Sequence, residues 1–443
     1  MLAPSPTKRV EPWGSVKHGR WKTGVSKHRF AIQRSLLVLL LCFCAYLVLR
    51  RGVASWYFRC ATPAAIQTAT AWDPANPQYS DVQATAMHLY PVAEDVNEIV
   101  ALRQQATSLS PRDAQLWADL GGAYERAGRD ADGFYAFQRA RELFPHSPEI
   151  NWRLANFCLR TGRIADGIPA LRSVLDGDST SRSRVFALAA NAIHDRRTIL
   201  EMLPPSGPVF FDYIRFAIAK GDMAAGKESW VRLLQLNLPF DAHDAVPYLE
   251  ALVQHKEIGQ LEQAWSALRT RFPTQVASSE PDSNLITNGD FEFDPLNGGL
   301  DWHVTPTEGV AVTLDRAGGT DRGRALRITF DGSRNVDYAH VFQYVPVHPR
   351  TQYRFTGHMR SDGISTDSGP RFQIVDAYDP GTLLASTQNV VGTHSRSEQQ
   401  AEFTTGEKTR LLLARVARPT SLKLDNKIAG TVWMDRISLR LEE

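Results

Sequence analysis

Residues 127–140, AGRDADGFYAFQRA, return 34 residues later as TGRIADGIPALRSV. At that offset Leu120 meets Leu154, Gly128 meets Gly162 and Arg129 meets Arg163. Ala131-Asp132-Gly133 returns as Ala165-Asp166-Gly167, and Pro111 as Pro145. A period of this length constrains the fold strongly, because one short unit cannot bury its apolar face and must stack on copies of itself. The residues within the unit say what it is. Gly128 suits the left-handed turn that closes a helix. Pro145 ends the next helix, since it cannot continue the hydrogen-bond ladder. Gly121 and Ala140 let two antiparallel helices approach, and Tyr124 and Phe137 fill the space between them.

The stretch WADLGGAYERAGRDADGFYAFQRARELFP resembles a tetratricopeptide repeat, whose pattern is W-x2-L-G-x2-Y, then A-x3-F and a closing P. Trp117, Leu120, Gly121, Tyr124, Phe137, Ala140 and Pro145 hold those positions, with Gly133 in place of the alanine. The next unit keeps Leu154 and Gly162 and has Asn151 and Cys158 at aromatic positions. The helix–Gly–helix plan recurs around Gly221 and around Gly259, where it closes at Pro273, and PPSGP at 204–208 interrupts the series. We read five to six helix pairs over residues 60–273. The resemblance implies a protein partner held on a concave face, with Asn151, Arg153 and Arg160 as candidates to line it. A spacer or scaffold is the alternative.

Ahead of the repeats lies a basic arm. Residues 1–34 hold eight lysines and arginines against one acid, Glu11. The apolar run 36–49 follows, about 21 Å of helix, and counting back to Phe30 gives about the 20 residues that a spanning helix needs. We expect a transmembrane helix over residues 35–58, with Arg34 and Arg50 reaching opposite head-group layers and Trp56, Tyr57 and Phe58 at the far interface. A cleaved signal, with a weak site at 53–55, and a buried core helix are the alternatives. The charge bias places the N-terminus in the cytoplasm and the remainder outside a bacterial inner membrane.

After the polar stretch 274–283, read as a linker, the hydrophobic period changes from helical to two. Segments such as QYRFTGHMRS and TVWMDRISLRL alternate as strands with one buried face. Eight or so strands in residues 284–443 indicate an antiparallel sandwich of jelly-roll type. Its opening NLITNGDFEF reads as a first strand. That opening, a following Trp302 and a closing strand with W-x-D resemble the jelly-roll carbohydrate-binding modules of galactose-binding-like fold. The resemblance implies a structural calcium held by Glu292 and Asp435 together with nearby backbone carbonyls, hard oxygen donors that suit the ion. Ordinary surface carboxylates or salt bridges are the other reading of that pair. The resemblance also implies a possible polysaccharide ligand. Trp302 and Trp433 fit core packing; Tyr344, His358, Arg360 and Gln373 are the candidate sugar contacts, the last three on the outward side of the alternation.

Formal net charge is only +2, so no nucleic-acid partner is indicated. The four cysteines, Cys42, Cys44, Cys60 and Cys158, have no metal-site spacing, and a Cys60–Cys158 disulfide is left open. No nucleophile elbow, P-loop, dinucleotide fingerprint or HExxH occurs, and we expect no enzyme and no further cofactor. The reading is a multidomain membrane-anchored envelope scaffold, in which repeats hold a protein and the sandwich touches glycan, at a site where surface polysaccharide is assembled or exported. A purely structural scaffold and a non-catalytic subunit of a polysaccharide-processing enzyme are the alternatives.

Overall fold

The computed structural model describes residues 24–89, 95–177, 179–276, 284–316, 318–319 and 323–442. Most of the basic arm, and the linker from residue 277 on, lie outside the described residues. The chain divides into two compact units, residues 1–167 and 168–443.

The first unit begins with α1, Gly24–Arg59, a single helix of 36 residues. Its part from Ile32 on is long and apolar enough to cross a membrane or to serve as a signal sequence. Leucines 36, 37, 39, 40 and 41 are all exposed, so the helix is apolar on every side there, as a lipid-facing helix is. The same helix then changes character without a break. Ala54 is fully buried, and Tyr57 and Phe58 pack with it against Ala69 and Tyr79. Ala69 belongs to α2, Pro63–Trp72, started by Pro63 and capped by Thr62, whose hydroxyl accepts the Ala65 N–H. Because α2 runs back along α1, Arg50 donates to the Trp72 carbonyl and Arg51 lies 4.0 Å from Asp73.

Further helices follow: α3 (Pro77–Leu89), α4 (Val96–Leu109), α5 (Ala114–Arg126), α6 (Asp130–Leu143), α7 (Pro148–Arg160) and the start of α8 (Ile164–Gly177). Asp95, Asp113 and Ser147 cap α4, α5 and α7. A Cβ on Gly121 would lie 2.9 Å from the Phe137 ring, which is why the α5–α6 approach takes glycine there. Gly128 has φ 69°, the left-handed turn that its sequence position implied. Leu120, Ala123 and Tyr124 share one core with Ile99, Val100 and Ala136. A charged ladder fixes the register of successive pairs. Arg103 contacts Asp81 at 2.6 Å and Asp119 at 3.4 Å, and Asp119 is shared with Arg153 at 2.7 Å. Burial pushes the Asp81 carboxyl up and Arg103 counters it.

The second unit continues the helical plan through α9 (Arg182–Ala192), α10 (Arg196–Met202), α11 (Gly207–Ala219), α12 (Met223–Gln235), α13 (Val246–Gln254) and α14 (Ile258–Arg271). Phe211, Trp230, Phe240 and Tyr248 form its aromatic spine, with ring centroids 5.3–6.3 Å apart. Ten strands then build two five-stranded antiparallel sheets. They are β1 (His303–Val304), β2 (Val310–Asp315), β3 (Ala325–Asp331), β4 (Tyr338–Pro346), β5 (Gln352–Ile364), β6 (Arg371–Asp376), β7 (Asp379–Ser386), β8 (Gly392–Thr404), β9 (Leu411–Arg418) and β10 (Ala429–Leu441). The first sheet has the order β1-β4-β9-β6-β7 and the second β2-β3-β10-β5-β8. Their inner faces meet in a core that includes Phe291, Trp302, Tyr338, Tyr353, Phe355, Phe372 and Met434. The expected fold class, a membrane-type helix, a helical array and an antiparallel sandwich, is the one found.

One element differs. Residues 284–302 form no strand but a chain of turns, with Asn288 at φ 52° and Phe291 at φ 54°. A strand cannot pass through those left-handed positions. The segment is still tied to the closing strand: the Asn284 side chain donates to the Ile437 carbonyl at 3.2 Å and accepts the Leu439 N–H at 3.0 Å.

Candidate functional site

The opening segment is a hydrogen-bonded knot. Asn288 donates from its side chain to the Phe293 carbonyl at 2.9 Å and accepts the Phe293 N–H at 3.2 Å. Trp302, buried as expected, donates from Nε1 to the Asn288 carbonyl at 3.1 Å and packs on Phe291 with centroids 5.2 Å apart. Asp301, 1% exposed, accepts N–H groups from Leu296 at 2.8 Å and Trp302 at 2.7 Å. Burial pushes its carboxyl up to about 6, and those hydrogen bonds oppose the rise. Gly289 is required here, because a Cβ would sit 2.1 Å from the Ile437 carbonyl oxygen.

Within this frame Glu292 turns its side chain to the surface, while its carbonyl accepts from Arg324 at 2.6 Å. Asp435 is buried on the outer side of β10, with Oδ1 3.3 Å from the Arg396 Nε. Among the described residues no group of three or more His, Cys, Asp or Glu side chains is arranged to hold a metal ion. Glu292 thus lies on the opening segment, exposed, and Asp435 on β10, facing Arg396.

The four candidate sugar contacts fall on opposite sides of the sandwich. Tyr344 and Gln373 lie on the first sheet, on β4 and β6. His358 and Arg360 lie on β5 of the second. Alternation along each strand could show outward from inward but not which sheet a strand joins. Of the repeat residues, Asn151 is fully buried and donates to the Pro145 and Ser147 carbonyls, so it braces a turn and faces no groove. Arg153 and Arg160 reach back to Asp119 and Glu125 of the preceding pair.

On the first sheet the outward aromatics are used internally. His303 stacks on Phe342 with centroids 4.6 Å apart and planes 10° apart, and Tyr344 meets both edge-on. Glu250 of α13 then closes over the cluster, its Oε1 2.9 Å from His303 Nε2 and accepting the Gly299 N–H at 2.7 Å. Burial pushes the Glu250 carboxyl up, but His303 and the Gly299 N–H more than offset it and hold it below its ordinary value. Tyr378 donates to the Val253 carbonyl at 2.9 Å, and Lys256 lies over the Tyr378 ring. Farther along the sheet Gln373 accepts from Arg415 at 2.9 Å. The sandwich is therefore docked on the last helix pair. Glu250, His303 and Gly299 were not singled out from sequence, since no local pattern joins residues about fifty positions apart.

The outer face of the second sheet carries a different surface. Trp433 is buried here at 8% exposure, with the Arg360 guanidinium packed 3.8 Å from its ring centroid and Arg327 5.7 Å away. Its Nε1 donates to Asp315 at 2.8 Å. Next to it runs a groove of about 620 Å³ whose lining includes Arg354, His358, Glu398, Arg436, Arg440 and Glu442. Arg354 is held by Glu402 and Glu442. This face combines guanidinium groups, an imidazole and carboxylates on paired strands. It can offer several directional hydrogen bonds to a long polar ligand.

No protein-family model matches this chain, and no curated protein matches it. Solved structures resemble parts of it. The crystal structure of MamA is 14% identical over 40% of this chain and 86% of that one, with a TM-score of 0.27. YrrB, described as a TPR protein with an unusual peptide-binding site, is 13% identical over 40% and 93%, with a TM-score of 0.27. A structure described as CBM4 is 15% identical over 35% of this chain and 99% of that one, with a TM-score of 0.27.

Proposed function

We propose that the protein is a non-catalytic, membrane-anchored adaptor that binds a glycan on the outer face of the second sheet and a protein on its helical repeats. The observation that carries the glycan reading is the β5–β10 groove itself, lined by Arg354, His358, Glu398, Arg436, Arg440 and Glu442. A polysaccharide offers ring faces and closely spaced hydroxyls, and this groove supplies a rigid bed with guanidinium forks, an imidazole and carboxylates. Three arginines and a histidine against two glutamates in the lining favour a chain bearing carboxylate or other anionic groups. The helical array supports the protein-binding part, since stacked helix pairs present extended surfaces. The N-terminal span and the charge bias before it support an inner-membrane protein with its bulk outside the cytoplasm, at a site where surface polysaccharide is made, exported or held.

The test is binding of the full chain, in detergent or nanodiscs, to neutral and acidic polysaccharides. Binding to an acidic glycan that falls at least tenfold in His358→Ala and in Arg440→Ala supports the reading. Binding to no polysaccharide sinks it and leaves a second reading, which the Glu250–His303 dock favours: a sandwich that buttresses the helices and contacts protein alone.

A further inference from the structure

In the first unit α2, α4 and α6 all run back toward the level where the apolar run of α1 ends. Arg50, the first residue after that run, donates to the Trp72 carbonyl at the end of α2. Gln105, near the end of α4, donates to the Pro74 carbonyl in the α2–α3 turn at 3.4 Å. Gln115, at the start of α5, reaches Glu149 at the start of α7 at 3.4 Å. The three turns between successive helix pairs therefore share one edge, and that edge begins where the span emerges.

Each of these turns shows solvent an apolar side chain within one residue of the end of its returning helix. Trp72 is 42% exposed, Leu109 40% and Phe144 56%. Each stands at or just beyond the end of the returning helix, where a water-facing turn is ordinarily polar. Arg112 and His146 are exposed in the same turns. Indole, aliphatic and benzyl groups, in turns that carry Arg112 and His146 as well as Asp73 and Asp113, suit a head-group layer contact. The continuity of α1 from the span into the first helix pair leaves no linker to lift the edge from the bilayer.

We propose that the inter-repeat edge of the first unit lies in the head-group layer of the membrane that α1 crosses, with Trp72, Leu109 and Phe144 entering it. This rests on the reading of α1 as a retained span. It gives the array a second contact with lipid and fixes which edge of the repeats a protein partner cannot reach.

The experiment uses the full chain in vesicles of phosphatidylcholine with phosphatidylglycerol, with an environment-sensitive fluorophore on single cysteines. Leu109→Cys, Phe144→Cys and, on the opposite edge, Asp130→Cys are made with Cys42, Cys44 and Cys60 changed to serine; Cys158 is buried. A fourth sample keeps Cys44 alone of those three. Lipids carrying nitroxides at head-group and mid-chain depth serve as quenchers. We expect head-group quenching at 109 and 144 several times that at 130, and mid-chain quenching at Cys44. Equal quenching at 109, 144 and 130, with Cys44 still quenched, overturns the edge contact and leaves the span standing. No mid-chain quenching at Cys44 overturns both.

Discussion

Asp301 gives the sandwich a pH dependence whose sign and size follow from its surroundings. Its carboxyl is buried and its proton affinity rises from an ordinary 3.8 to about 6. At about 1.4 kcal/mol for each tenfold in affinity, that rise corresponds to roughly 3 kcal/mol. The folded state holds the proton more tightly than the unfolded chain does. The contribution to stability is therefore fully present below pH 3.8 and is lost as pH rises through about 6. Groups such as Glu250, held below the ordinary value, act in the opposite sense and lose their contribution as pH falls. The diagnostic is accordingly a difference between two proteins. In Asp301→Asn the amide cannot titrate, although its NH2 meets one of the two N–H donors and lowers stability at every pH. Unfolding of the sandwich, followed by near-ultraviolet circular dichroism between pH 4 and 7.5, should show the gap between the two proteins shrinking with rising pH. About 2.4 kcal/mol of this remains at pH 4, so at roughly 2–4 °C per kcal/mol the change in that gap is about 5–10 °C. Parallel Tm–pH curves for the two proteins would refute the assignment of a buried, titrating carboxyl.

Two further changes test contacts that position the faces described. Asp119→Ala removes the shared partner of Arg103 and Arg153, leaving the buried Arg103 with Asp81 and the Thr85 hydroxyl; a loss of about 3 kcal/mol is expected, read from urea unfolding of the helical signal, and a loss below 1 kcal/mol would show that the ladder does not fix the repeats. Gly299→Ala is expected to separate α13 from the sandwich, because φ is 63° and a Cβ would lie 2.6 Å from Leu249; amide exchange in α13 should rise at least tenfold, and unchanged protection would refute the dock.

What the sequence revealed and what it hid divides along range. The Trp117–Pro145 unit was legible because the contacts that make a helix pair lie within one repeat and recur. Trp302 was legible as core from its place in the opening pattern. β1, two residues long, and β7, whose residues are mostly exposed, left no alternation to read. The entry of α1 into the first helix pair was hidden as well, because only a few residues separate a helix apolar all round from one with a single buried side. The four sugar candidates illustrate the deepest limit. Tyr344 and Arg360 have the same local pattern, and only the pairing of β4 with β9 and of β5 with β10 sends them to opposite faces.

The strand order also sets a timetable for synthesis. β10 lies in the middle of the second sheet, between β3 and β5, and the opening segment fastens to Ile437 and Leu439. The interior of that sheet cannot close until residues 429–441 have left the ribosome, however long β2 to β5 have been waiting. The helix pairs close through neighbours in sequence and can form as they emerge. A nascent chain therefore carries a finished helical array and an open half-sandwich at once. For that interval the apolar sides of β3 and β5 need either a chaperone or a fast final stretch of translation.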